Sequence, residues 1–166
     1  MTDIKVDAVD NNAPLKRRLF SMLYEGMLLF GVLFISGWLF STLLQQRSAI
    51  YMRHGLELWL FIVLTCYFVW FWCHGGQTLA MKTWRIRLVA RDGGPIKPLR
   101  ALARFLLAWL WCIPGLMLAW LLHVQGWLLV IIPAANFLLW MSTVYLDPQR
   151  QFLHDRLAGT RIISLV

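Results

Sequence analysis

The sequence predicts an all-α membrane protein of four transmembrane helices, with a small cytoplasmic β element formed by the 74–100 loop and the C-terminal tail. Three observations carry this. Four long apolar stretches fill most of the chain, each near the roughly 20 residues that cross a hydrocarbon core of about 30 Å. The 166 residues are 60% hydrophobic and only 14% charged, which is more apolar surface than a soluble domain of this size can hide. The basic residues gather between the stretches, where they set membrane orientation.

Residues 1–15 are mostly polar, with Asp3, Asp7 and Asp10, and read as a disordered tail. Residues 16–166 then form one membrane domain. The first apolar run is too long for a signal-peptide core and lacks a small-residue cleavage site. This first span, about 19–44, follows Lys16, Arg17 and Arg18 and is stopped by Gln45, Gln46 and Arg47. Its length allows tilt. The second, about 56–73, ends at His74-Gly75-Gly76. The third covers about 101–122, and the fourth, about 126–146, is stopped by Asp147-Pro148. All four are expected to be helices, because a helix satisfies its own backbone in lipid. Pro114 and Pro133 each remove a backbone donor and should bend their helices. Between the second and third spans, Trp84 to Ala90 alternates apolar with basic residues, as a strand does. Arg91-Asp92-Gly93-Gly94-Pro95 signals a turn, and Thr160 to Val166 is again strand-like.

Lys and Arg concentrate before the first span, between the second and third, and after the fourth, leaving only Arg47 and Arg53 on the opposite side. Both termini and the middle loop are therefore expected to be cytoplasmic in a bacterial inner membrane. Trp38, Trp59, Trp120 and Trp127 would mark the outer interface, Trp70, Trp72 and Trp140 the inner one, and Trp109 and Trp111 would serve packing. The net charge of +8 forms no basic stripe with a stacking module, so nucleic acid is not an expected partner. The bilayer is, with anionic lipid at the basic cytoplasmic loop. No cofactor is implied. Cys66, Cys73 and His74 lack metal-ligand spacing, and no catalytic triad or carboxylate pair points to an enzyme.

Glu25 lies inside the first span, and an intramembrane carboxylate is a functional-site hypothesis by default. Arg18 is seven residues earlier, two turns and about 10 Å along the same helix face. Arg104 begins the third span at a similar depth and could pair with Glu25, with Arg100 one turn before it. Asp155 could accept from Arg18 or Arg104. Such a cluster either poises a carboxylate for proton exchange or only pins helices together. Gly75-Gly76 resembles a flexible helix end, and in the Gly76, Gln77, Thr78 loop motif Gln77 and Thr78 are expected to cap the next segment or line a cytoplasmic mouth. Asn136 is expected to hydrogen-bond between helices. Glu57, at the outer edge of the second span, should reach water.

Three segments, in order, resemble the RDD family of bacterial membrane proteins. Arg17-Arg18-Leu19-Phe20-Ser21-Met22-Leu23-Tyr24-Glu25 is similar to the family's Arg-Leu-x-Ala-x-x-x-Asp opening. Gly76-Gln77-Thr78-Leu79-Ala80-Met81-Lys82, with the later Arg100 to Arg104 stretch, resembles its Gly-Gln-Thr-x-Gly-Lys segment and later arginine. His154-Asp155-Arg156-Leu157-Ala158-Gly159-Thr160 is close to its C-terminal signature. By position, Arg18 matches the family arginine, Glu25 the first aspartate and Asp155 the second. Glu at 25 keeps the charge and adds a methylene, and Ala80 replaces a usual glycine. The resemblance implies transport, including cation/proton exchange for some members. With Glu25 as titrating site, four helices are few for alternating access, and a homo-oligomer would bring two sites together. The competing expectation is a non-transporting membrane subunit or assembly protein whose Arg/acid cluster is structural.

Overall fold

The computed structural model describes residues 12–43, 53–147 and 151–165. Long apolar runs without helix breakers give α1 (Leu15–Leu43) and α2 (Arg53–Cys73). The buried face of α1 is polar, formed by Arg18, Ser21 and Glu25. Phe20, Leu23, Met27, Phe30 and Phe34 point outward and are exposed. A helix that is apolar outside and polar inside is matched to lipid, not water. After a short α3 (Leu79–Thr83) and a strand β1 (Ile86–Ala90) come α4 (Pro98–Ala108) and α5 (Ile113–Leu121), then α6 (Leu128–Leu146), α7 (Leu153–Leu157) and β2 (Thr160–Ser164). Three helices are long and apolar enough to cross a membrane, and a fourth crossing results if α4 and α5, bent by 43°, count as one broken span.

The break sits where Pro114 predicts it. Trp109–Trp111 tightens into a 3-10 turn before α5 begins. Pro114 has no N–H to give the Leu110 carbonyl. Asn136 of α6 supplies the donor instead, its Nδ2 lying 2.6 Å from the Trp111 carbonyl and 3.4 Å from that of Leu110. The expected interhelical role of Asn136 is thus met, and the freed backbone is satisfied within the protein, as lipid requires. Gly115 lets the helices approach: a Cβ there would fall 2.8 Å from Asn136 Cβ and 2.9 Å from Pro133 Cα. α6 itself is continuous through Pro133.

β1 and β2 pair antiparallel, with Ile86 opposite Ser164 and Ala90 opposite Thr160. Alternation sends Ile86, Leu88 and Ala90 inward and Arg87 outward. Ile86 and Leu88 join Trp72, Ala101, Phe105 and Ile162 in a core where the sheet meets α2 and α4. The turn closes through Ala90 N to Gly94 O (3.1 Å). A disordered tail through residue 15 is not what the structure shows at its far end. Asn12 bridges Ile163, buried Ala13 donates to Ile162 O at 3.1 Å, and α1 starts at Leu15. The open edge of β2 supplies these partners. The earlier tail residues, the end of the first span at Leu44, and Gln45 to Arg47 lie outside the described residues.

Trp72 and Trp140, expected at an interface, are buried instead. Trp72 covers an arginine and Trp140 stacks on Phe152 (centroids 4.7 Å apart). Trp109 packs on Phe61 and Phe105 as expected, while Trp38, Trp120 and Trp127 are exposed.

Gly115→Leu should drive α5 from α6 and lower stability by about 1–3 kcal/mol, and Asn136→Leu by about 1 kcal/mol. Thermal unfolding in detergent, followed by tryptophan fluorescence, measures both.

Candidate functional site

Two buried polar clusters hang from the inner face of α1. Glu25 belongs to the first. Tyr67, on α2, donates its hydroxyl to Glu25 Oε1 at 2.7 Å. Thr78 donates its hydroxyl to Glu25 Oε2. Thr78 is also the N-cap of α3, accepting from Met81 N at 3.3 Å, so one hydroxyl both starts a helix and holds the carboxylate. The residues before it fix it in space. Leu88 N donates to Gly76 O at 2.7 Å, and Gln77 Nε2 donates to Ile86 O at 2.7 Å. Gly76 has φ +72°, and a Cβ there would run into the Leu88 carbonyl oxygen, so only glycine fits. Gly76, Gln77 and Thr78 therefore connect the sheet to Glu25.

Asp155 centres the second cluster. It is fully buried, and Arg104 Nε donates to its Oδ1 at 2.7 Å. The Thr160 hydroxyl donates to the Asp155 carbonyl at 3.2 Å. The Arg104 guanidinium lies 4.3 Å over the Trp72 ring, a cation–π contact that shields it from the apolar core. Arg18 enters from α1. It donates to Gln151 Oε1 at 3.2 Å and to Ile162 O at 3.5 Å. Gln151 in turn accepts from Ile162 N and donates to Asn12, so a single side chain ties α1 to β2.

The expected Arg104–Glu25 pair does not form. Short helix α7 folds back under α4 and delivers Asp155 to Arg104, while Glu25 faces α2 and the Thr78 loop. Among the described residues Glu25 has no ion-pair partner. Arg100 also lies off the cluster. It is half-exposed and reaches Asp92 of the turn at 4.0 Å, because one helical turn carries it past the end of the packed face. Arg18 and Glu25 do share the inner face of α1, as their spacing predicts.

The RDD family model matches residues 12–159. The chain belongs to the RDD family. The matched range opens at the residue that bridges to β2 and holds Arg18, Glu25, the Gly76–Thr78 loop, Arg104 and Asp155. No curated protein and no solved structure matches the chain. In this RDD protein Arg18 and Asp155 share one cluster, and Glu25 stands in the other. Tyr67, Gln151, His154 and Thr160 complete these clusters. Their signals in the sequence were slight: a phenol within an apolar span, an amide and a hydroxyl near the tail, and a histidine inside the C-terminal signature.

His154 shows what burial does to the second cluster. Its ring stacks on Trp140 and Phe152, and Nε2 lies 3.4 Å from Asp155 Oδ1. Burial pushes its pKa down to about 4, against the upward pull of Asp155. Its Nδ1 is buried with no hydrogen-bond partner among the described residues. Burial alone would raise the Asp155 carboxyl, but chiefly the Arg104 charge holds it below the usual carboxylate range.

Between the ordinary histidine pKa of 6.5 and about 4, the unfolded chain binds a proton that the native chain refuses. Stability therefore falls as pH drops through that window, by up to about 3 kcal/mol. His154→Phe should keep the ring stack and flatten this slope in pH-dependent thermal unfolding. Arg104→Met should cost about 3–5 kcal/mol by stranding Asp155. Adding Asp155→Asn should restore part of that loss, which a double-mutant cycle reads directly.

Proposed function

We propose that this RDD protein is a small transporter or ion exchanger, of cation/proton type, in which Glu25 is the titrating site. One observation carries the proposal. Glu25 is buried with both oxygens held by neutral hydroxyls, from Tyr67 and Thr78, and no cation is paired with it among the described residues. A dry carboxylate without a counter-charge is neutralised by a proton or by a small cation. Hydroxyls suit both states. They donate to the ionised carboxylate, and by rotating they accept from the protonated one or turn lone pairs toward a cation. Asp155, by contrast, has its charge taken up by Arg104. The two acids thus divide the work, Glu25 for exchange and Asp155 for architecture. No catalytic chemistry is assigned.

The accompanying topology is four spans, with α4 and α5 as one broken crossing, in a bacterial inner membrane. Both termini and the sheet are cytoplasmic, following the distribution of Lys and Arg. A homo-oligomer supplies the second half of an alternating-access unit.

A second reading has its own support. The Arg104–Asp155 pair joins α4 to α7 and lies beside β2, and Arg87 faces outward from the sheet. Such an arrangement also fits a non-transporting membrane subunit that presents its basic sheet to a protein or to anionic lipid.

Proton movement in phosphatidylcholine vesicles carrying the purified protein, after addition of Na⁺, K⁺ or Li⁺, separates the readings. Exchange through Glu25 predicts cation-driven proton flux that Glu25→Gln abolishes while the variant stays folded and inserted. Tyr67→Phe should weaken the flux without removing it. If wild type and variant are both folded and neither moves protons, exchange fails and the subunit reading takes its place.

A further inference from the structure

A further concentration of charge lies beside β2, next to Gln151 and Thr160 of the Asp155 cluster. A cavity of about 190 Å³ is lined by Arg91, Arg156 and Arg161, together with Asp147, Gln151 and Gly159. Three arginines and one carboxylate line it. That carboxylate is already engaged, with Oδ1 at 3.7 Å from Arg156 and Oδ2 accepting from Gln151 N at 2.9 Å. Neither Arg91 nor Arg161 forms an ion pair among the described residues, and the buried Nε of Arg161 has no hydrogen-bond partner among them. The fold holds this unbalanced charge in place. Arg161 sits within β2 opposite Val89, and Arg91 N donates to Gly159 O at 2.9 Å.

Size and surroundings select the ligand. The cavity is smaller than the roughly 300 Å³ at which drug-sized pockets begin, yet ample for one phosphate group. Planar guanidiniums match phosphate oxygens in geometry and charge. Asp147 directly follows the last residue of α6, a candidate span. Tyr145 and Leu146, at that end of α6, are 74% and 80% exposed. A basic recess therefore adjoins an apolar shelf at the boundary of a membrane helix.

We propose that this recess binds the phosphate of an anionic lipid, with Arg91, Arg156 and Arg161 holding the headgroup and the acyl chains lying along the exposed end of α6. The assignment rests on α6 crossing the bilayer and does not depend on exchange at Glu25. Proton flux measured in phosphatidylcholine vesicles is independent of it, so each idea can fail without the other.

The full chain, purified in a neutral detergent, is titrated with dioctanoyl phosphatidylglycerol, dioctanoyl phosphatidylcholine, inorganic phosphate and succinate, and thermal unfolding is recorded. A ligand that binds only the native state raises Tm in a saturable way. Phosphatidylglycerol should do so, and the other three should not at equal concentration. Arg156→Gln and Arg161→Gln should each weaken the apparent affinity roughly tenfold. Arg53→Gln, at the start of α2, should leave it unchanged. Should Arg161→Gln fail to fold, Arg156→Gln, on a side chain 62% exposed, still decides the matter. Equal stabilisation by inorganic phosphate overturns the lipid assignment in favour of a soluble phosphate. An equal response to succinate overturns the phosphate assignment in favour of a carboxylate partner. A response to phosphatidylcholine equal to that for phosphatidylglycerol, no saturable shift, or unchanged affinity in the variants overturns the site itself.

Discussion

A guanidinium and a carboxylate cannot both stay charged in a dry interior unless each satisfies the other, and the Arg104–Asp155 pair imposes that condition on everything around it. Trp72 lies over the arginine, and Thr160 reaches the aspartate from β2. His154 is kept neutral beside them, since a second positive charge there would be dry as well. The sheet and α7 take their positions relative to α4 from this contact. The aromatic stack of Trp140, Phe152 and His154 then binds the same region to α6. Apolar packing supplies the driving force, but the pair determines which of many apolar arrangements is compatible with a buried charge.

Glu25 obeys the opposite rule. Its neighbours are hydroxyls, which orient a carboxylate without cancelling its charge. One small chain thus buries two acids in opposite ways, Asp155 against a guanidinium and Glu25 between two hydroxyls. The second arrangement explains why the Gly76–Thr78 loop is so closely fitted to β1: a donor that must aim at a carboxylate has to be held by something stiffer than a membrane helix end.

The long apolar runs, the strand pair and the bend at Pro114 were legible in the sequence, because each depends on composition or on a period within one segment. The shared face of Arg18 and Glu25 was legible for the same reason. The partner of Arg104 was legible only as one of two candidates, Glu25 and Asp155, and the structure selects Asp155. Matching depths along two spans pointed to Glu25, whereas five residues of α7 were too few to show a helical period and their fold-back is a tertiary event. Tyr67 escaped notice because a phenol amid aromatic residues reads as packing until its hydroxyl is seen to meet a carboxylate. Asn12 and Ala13 looked like tail, since nothing local marks a residue that pairs with a strand far along the chain.

That last pairing bears on how the molecule is made. Arg18 finds its acceptor in Gln151, 133 residues further along the chain. Contacts of such separation form late, because closing a long loop precedes any return from it. During synthesis α1 to α6 are complete while Arg104 still awaits Asp155 on α7. An unfinished chain therefore holds Arg104 over the Trp72 ring without its carboxylate, which comes only with that segment. The arrival of residues 151–162 is thereby registered as a change in charge balance around α4.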